Sequence, residues 1–382
     1  MKYRTLGNTG ILASEIGLGS EGFVGMPEED ALRIIHAAIR QGINYFDLYN
    51  PQPEVRRNLG KGIAGSRDKV YIQGHLGTAW IDGQYTRTRD VPLVKESFEE
   101  MLSMLGTDYV DVGMIHYIDK ESDMSEIFEG ELIDYVLRLK KEGKIHHIGI
   151  SSHNPVIARK AVETGLVEVV LFAINPAYDM QPPSEDLNQL WDDKSYVNPL
   201  CNIDNDRDAF HKLCALKGVG ITVMKAFGGG DLLDDTLSPF GVAMTPSQCI
   251  HYALSRPSVS SVLGGYRSLE QLQQSLHYFD ATDQERDFAL VLARIPKHTF
   301  RGKCMYCGHC APCTVGIDVA SVNKFHDLCV AQGFIPETVR EHYKSLVHHA
   351  SECITCGLCE ENCPFEVNII KSMEAAANLF GF

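Results

Sequence analysis

IHHIGISSHNPVIARKAVETG, residues 145–165, decides the fold. A β-branched, apolar run leads straight into a segment of helical periodicity, so it reads as one strand followed by one helix. The same alternation runs from about residue 14 to 281. The other strand candidates are EIGLGS, INYFDLY, KVYIQGH, VDVGMIHY, VEVVLFAIN, GITVMKAF and SVSSVLGG. The helical segments include EEDALRIIHAAIRQG, PLVKESFEEMLSMLG, PSQCIHYALSR and SLEQLQQSLHYF. Eight β-then-α units over this length predict a (β/α)8 TIM barrel. A doubly wound open sheet is the alternative, but no glycine-rich fingerprint follows the first strand.

Two connections are long: LGTAWIDGQYTRTRDV after the third strand and PAYDMQPPSEDLNQLWDDKSYVNPLCNIDNDRD after the sixth. Loops of this length at the C-terminal face of a barrel are expected as pocket walls, or else as insertions that merely cap it. They carry both tryptophans, Trp80 and Trp191.

Near residue 295 the pattern changes. A short basic linker, IPKHTFRGK, opens a cysteine-rich and otherwise helical stretch, which predicts a barrel over 1–294 and a small, mainly α-helical domain over 295–382. The 382 residues are 44% hydrophobic and 22% charged, with a net charge of −15. That balance supports a sizeable core and argues against nucleic acid and anionic membranes as partners. Met1–Lys2–Tyr3 leads directly into strand-like sequence without a charged n-region and apolar h-region, and no apolar run is long enough to span a bilayer. The expectation is a cytoplasmic protein.

Eight of the 12 cysteines fall in two clusters. The second, Cys353-x2-Cys356-x2-Cys359-x3-Cys363-Pro364, has the spacing at which three thiolates wrap one face of an iron–sulfur cube while the fourth reaches a second cube. The first, Cys304-x2-Cys307-x2-Cys310-x2-Cys313, has one residue fewer before its last cysteine and no proline. Crosswise ligation reconciles the two: Cys304, Cys307 and Cys310 with Cys363, and Cys353, Cys356 and Cys359 with Cys313. The competing reading is structural zinc, although three consecutive two-residue gaps are unusual for it. Nearby Arg301 and Lys303 would offset cluster charge or dock an acidic donor.

Four motifs carry a family resemblance: GINYFDLYN, TDYVDVGMIHYID, IHHIGISSHNP and VLGGYRSLEQLQQSL. Over roughly residues 1–281 the chain resembles the aldo-keto reductases. With its clusters, the whole chain resembles their iron–sulfur-bearing branch, and the long helical spacer resembles an α-helical two-cluster (8Fe-8S) ferredoxin. The resemblance implies reduction of carbonyls with NADP(H) or NAD(H). In that chemistry a tyrosine gives the proton, an aspartate–lysine pair lowers its pKa, and a histidine orients the carbonyl.

Asp47 and His116 match the aspartate and histidine. Tyr49 is a displaced candidate for the tyrosine, nearer the aspartate than usual. His75 stands where the lysine is expected; a histidine can donate or accept a proton but does not hold the permanent charge of a lysine. Lys225 would supply a charge from another direction or bind a phosphate. Ser151, Ser152 and Asn175 match the nicotinamide end, with Leu171 in place of the amide-binding glutamine. Gly264, Gly265 and Arg267 fall where the pyrophosphate and 2′-phosphate contacts begin, and Ser275 replaces the adenine-side asparagine. Gly228, Gly229 and Gly230 open a turn where barrels bind phosphate through backbone N–H groups. Each of these residues also has a structural reading; Asp47, for one, would serve as a buried hydrogen-bonded carboxylate.

Three functions follow. One is a redox enzyme whose barrel acts on a small organic substrate and exchanges electrons through two [4Fe-4S] clusters. Clusters carry one electron and hydride carries two, so a flavin would bridge them, but no flavin motif is recognised. A ferredoxin or flavodoxin would be the donor. The second is an NAD(P)H-dependent carbonyl reductase or alcohol dehydrogenase with structural or regulatory clusters. The third is a non-catalytic electron-transfer or sensing module.

Overall fold

A computed structural model describes residues 1–295 and 298–382; Pro296 and Lys297, part of the expected basic linker, lie outside the described residues. A short hairpin, β1 (Tyr3–Thr5) and β2 (Leu12–Ser14), comes first. Eight parallel strands then close a barrel: β3 (Ile16–Gly19), β4 (Tyr45–Leu48), β5 (Tyr71–Leu76), β8 (Val110–Ile115), β9 (Ile145–Ser152), β10 (Val169–Ala173), β11 (Gly220–Met224) and β12 (Val259–Gly264). All eight coincide with the strand segments expected from the sequence. The two numbers skipped are a second hairpin, β6 (Thr78–Ile81) and β7 (Gln84–Arg87), inserted after β5.

The barrel strands are buried on both faces, which is why they read as near-continuous apolar runs. Local chemistry starts the helices that wrap them. Asn154 caps Pro155–Glu163 by accepting from the Val156 N–H with Pro155 in the first turn, and Thr245 caps Pro246–Ser255 in the same manner.

The β1–β2 hairpin plugs the barrel floor. Leu6, Ile11 and Ala13 pack with Tyr45, Val112, Met114, Val169, Leu171 and Leu263 into a core of their own. Gly7 permits this approach: its φ is +53°, and a Cβ there would stand 2.4 Å from the Gly218 carbonyl oxygen. Gly7→Ala is expected to lower the stability measured by urea unfolding by about 2–4 kcal/mol, from left-handed strain plus overpacking. With the floor closed, only the C-terminal mouth is open for chemistry.

The C-terminal region is mainly helical. Val319–Gln332 packs against Ile369–Phe380 and against the barrel helix Asn205–Lys217. Buried Phe300, Met305, Ile317 and Val322 join the outer core of the barrel. Polar ties reinforce the contact: Arg256 Nη2 donates to the Met305 carbonyl at 2.6 Å, Lys303 pairs with Asp208 at 2.8 Å, and His309 meets Asp287 at 2.8 Å. Among the described residues no helix is long and apolar enough to cross a membrane.

Candidate active site and cysteine cavities

Period-2 geometry turns alternate residues of each strand into the barrel. Asp47 of β4, Gln73 and His75 of β5, and His116 just beyond β8 therefore meet at the mouth, all of them buried. Thr222 donates to Gln73 Oε1 at 3.0 Å, and Gln73 Nε2 donates to Asp47 Oδ1 at 2.6 Å. His75 Nε2 lies 3.0 Å from the same Asp47 oxygen, and His75 Nδ1 lies 2.7 Å from His116 Nδ1. Tyr85 Oη of β7 closes the row, 2.7 Å from His116 Nε2.

This row forms one wall of a cavity of about 540 Å³ at the barrel mouth, a size typical of small-molecule sites. Leu187 and Trp191 from the long loop after β10 line it too, whereas Trp80 does not. Burial, with the charges of His75 and Arg89 adding to it, holds His116 well below the usual imidazole range. Arg89 donates to the carbonyls of His116 and Tyr117, 2.8 Å each, and so fixes the segment that carries the imidazole. Beside them His153 is held 2.8 Å from buried Asp119.

Tyr49 also lines the cavity, and its ring stacks on His116 at a centroid distance of 6.0 Å, but its hydroxyl donates to Glu21. Burial and that carboxylate push its pKa far above the phenol range, so the Tyr49 ring packs beside the row while its hydroxyl is committed to Glu21. Of the remaining residues singled out in the sequence, Lys225, Ser151, Leu171, Gly229, Gly230, Gly265 and Ser275 line the cavity. Ser152, Asn175, Gly228, Gly264 and Arg267 do not. Ser152 donates to Asp119, and Asn175 ties the Lys225 carbonyl to the Tyr178 N–H. These two side chains are spent on the fold. Leu171 and Met224 add apolar surface to the same cavity.

Tyr85 is absent from the sequence-based site. Its signal was present, because Asp82–Gly83 between TAWI and QYTR is a hairpin turn signature, with φ of +50° and +75° at those two residues. What it would meet across the barrel was not readable.

The eight clustered cysteines line two small cavities. Cys304, Cys307, Cys310 and Cys363 share one; Cys353, Cys356, Cys359 and Cys313 share the other. The two halves repeat one backbone design. Tyr306 and Thr355 both have φ of +55°, Gly308 and Gly357 have +84° and +82°, and Asp318 and Asn368 cap the helices that follow. Backbone N–H groups of Tyr306, His309, Leu358 and Glu360 donate to the sulfurs of Cys304, Cys307, Cys356 and Cys359. Such bonds support thiolate charge and tune iron–sulfur centres. Among the described residues no three His, Cys, Asp or Glu side chains are drawn together as a single-ion site. Arg301 faces Glu366 at 3.5 Å and Lys303 faces Asp208, so both cations are engaged within the chain.

Buried neutral histidines make the protein acid-sensitive. Burial lowers His211 to about 3 and His251 to about 4, and it lowers His116 as well. Each contributes stability present above the unfolded pKa and lost as pH falls, roughly 2 kcal/mol by pH 5 for each of His211 and His251. Asp179, raised by burial to about 6, works in the opposite sense over the same window. Urea unfolding is expected to show a net loss of stability between pH 7 and pH 5.

The sequence profile of the Aldo/keto reductase family matches residues 15–243. An oxidoreductase of Bacillus subtilis (strain 168), YqkF, is 26% identical over 291 residues, covering 74% of this chain and 92% of its own. L-galactose dehydrogenase of Arabidopsis thaliana is 31% identical over 310 residues, covering 72% of this chain and 87% of the plant protein. Among solved structures, the holo form of an aldo-keto reductase from Bacillus halodurans superposes with a TM-score of 0.59 at 22% identity. It covers 75% of this chain and 94% of that one.

Proposed function

The chain belongs to the aldo/keto reductase family of oxidoreductases, and on that footing we propose that it interconverts the carbonyl and alcohol forms of a small organic molecule at the barrel mouth. The observation that carries this reading is the hydrogen-bonded row Asp47–His75–His116 in the cavity wall. His75 replaces the permanent cation of a lysine with a group that takes or gives a proton, and Asp47 is placed to hold that proton. His116 orients the substrate oxygen. Lys225, Ser151, Gly229, Gly265 and Ser275 would hold an NADP(H) or NAD(H), which supplies the hydride when bound.

The unit over 295–382 would hold two [4Fe-4S] clusters, which supply one-electron exchange when bound. What supports that reading is the lining of two small cavities by four cysteines each, with backbone N–H donors to sulfurs in both. A ferredoxin- or flavodoxin-type carrier would be the external partner. A structural or regulatory role for the clusters is the second reading, supported by the packing of this unit on the outside of the barrel, with Val319–Gln332 against Asn205–Lys217 and Arg256 bonded to the Met305 carbonyl.

The test uses anaerobically purified protein, with NADPH and 4-nitrobenzaldehyde followed at 340 nm, in wild type and Cys363→Ser. Turnover in both supports hydride chemistry independent of the clusters. Turnover in neither with NADPH, but in wild type with reduced ferredoxin, supports electron supply through them. No turnover under any condition overturns the carbonyl reading.

A further inference from the structure

We propose that Tyr85 is the catalytic residue that exchanges a proton with the substrate's oxygen, with the direction of its O–H set by the proton load of the His75–His116 pair. The proposal rests on the carbonyl–alcohol reading and deepens it.

The hairpin β6–β7 carries the phenol over the mouth. Trp80 and Tyr85 are directly paired across it, and the Tyr85 ring meets His116 edge-on at 6.1 Å. Four groups then stand in series at 3.0, 2.7 and 2.7 Å: Asp47, His75, His116, Tyr85. Each bond in such a row holds one proton, so the row has only two consistent polarities.

With Asp47 ionised and both imidazoles neutral, His75 Nε2–H donates to Asp47, which leaves His75 Nδ1 as an acceptor. His116 Nδ1–H must then donate to it, and His116 Nε2 must accept from the Tyr85 O–H. In this state the phenol oxygen faces the cavity with its lone pairs and can accept a proton from an alcohol. One added proton makes His75 an imidazolium braced by Asp47 and reverses the rest. His75 Nδ1–H donates to His116, His116 Nε2–H donates to Tyr85, and the Tyr85 O–H points at the cavity. A carbonyl bound there is protonated on oxygen while its carbon takes a hydride from a reduced nicotinamide. The C=O π bond becomes C–H and O–H. The phenolate recovers its proton from His116, His116 from His75, and His75 from solvent.

Reduction therefore uses the loaded row and oxidation the unloaded one, so rising pH favours oxidation. The titratable and charged groups facing the pair are Asp47 and Tyr49 of β4 and its following turn, Arg87 and Arg89 of the hairpin's outgoing arm, and His153 after β9.

Two variants and two readouts test this. Tyr85→Phe is expected to lower kcat for NADPH-driven reduction of 4-nitrobenzaldehyde by about 10²-fold or more with KM within about threefold, a larger loss than that of Tyr49→Phe. Independently of turnover, 15N NMR of histidine-labelled protein should show His116 Nε2 as an acceptor at pH 8, with its resonance moved by Tyr85→Phe and not by Tyr49→Phe. Retention of kcat within fivefold in Tyr85→Phe, or a hydrogen on His116 Nε2 at pH 8, overturns the assignment while leaving the carbonyl reading intact. Absence of wild-type turnover overturns the carbonyl reading itself, and the catalytic role of Tyr85 falls with it.

Discussion

Replacing Asp47 with asparagine is expected to reduce kcat for carbonyl reduction by about 10²- to 10⁴-fold with a small change in KM, because the amide keeps the shape but loses the charge. Asp47 Oδ1 receives both the Gln73 amide and His75 Nε2. A neutral oxygen there still accepts, yet it no longer favours a charged His75, so the proton-loaded state of the pair becomes scarce at any working pH. The loss should be steepest at alkaline pH. A kcat unchanged by Asp47→Asn would make the carboxylate a fold residue whose bonds to Gln73 and His75 only hold the strands together. Steady-state kinetics from pH 5.5 to 9 decides between the two.

Cys363→Ser is expected to halve the bound iron, leaving about four of eight atoms per chain. The cluster lost should be the one whose other ligands lie some fifty positions earlier. The prediction is sharpest in pairs. Cys363→Ser combined with Cys304→Ser should lose no more iron than Cys363→Ser alone, because both cysteines line the same cavity. Combined with Cys353→Ser, it should lose nearly all. Iron analysis and electron paramagnetic resonance of the dithionite-reduced proteins read this directly. Reversed pairing would show that each sequence motif holds its own metal, and colourless protein with zinc would end the iron–sulfur reading.

Recognition of the fold from sequence worked because each βα unit is a local pattern. Residues 145–165 become strand β9 and the Pro155–Glu163 helix where periodicity puts them. The candidate site was legible only in part. Asp47, His75 and His116 sit at the ends of strands, where barrel geometry gathers chemistry whatever the register of the neighbours. Tyr49 was the nearest phenol along the chain, but Glu21 draws its hydroxyl aside. Ser152 and Asn175 were placed at a cofactor site that their side chains do not face, because interior hydrogen bonding claims both.

By itself, then, the sequence determined eight alternating strands and helices and two cysteine quartets of defined spacing, since both depend on short-range periodicity. Only the tertiary structure decided that Tyr85 closes on His116 from 31 residues away, that Thr222 reaches Gln73 across 149, and that Val319–Gln332 of the cysteine-rich unit packs on the barrel helix Asn205–Lys217. Barrel closure and strand register choose those partners; a slip of one residue would turn each side chain to the opposite face.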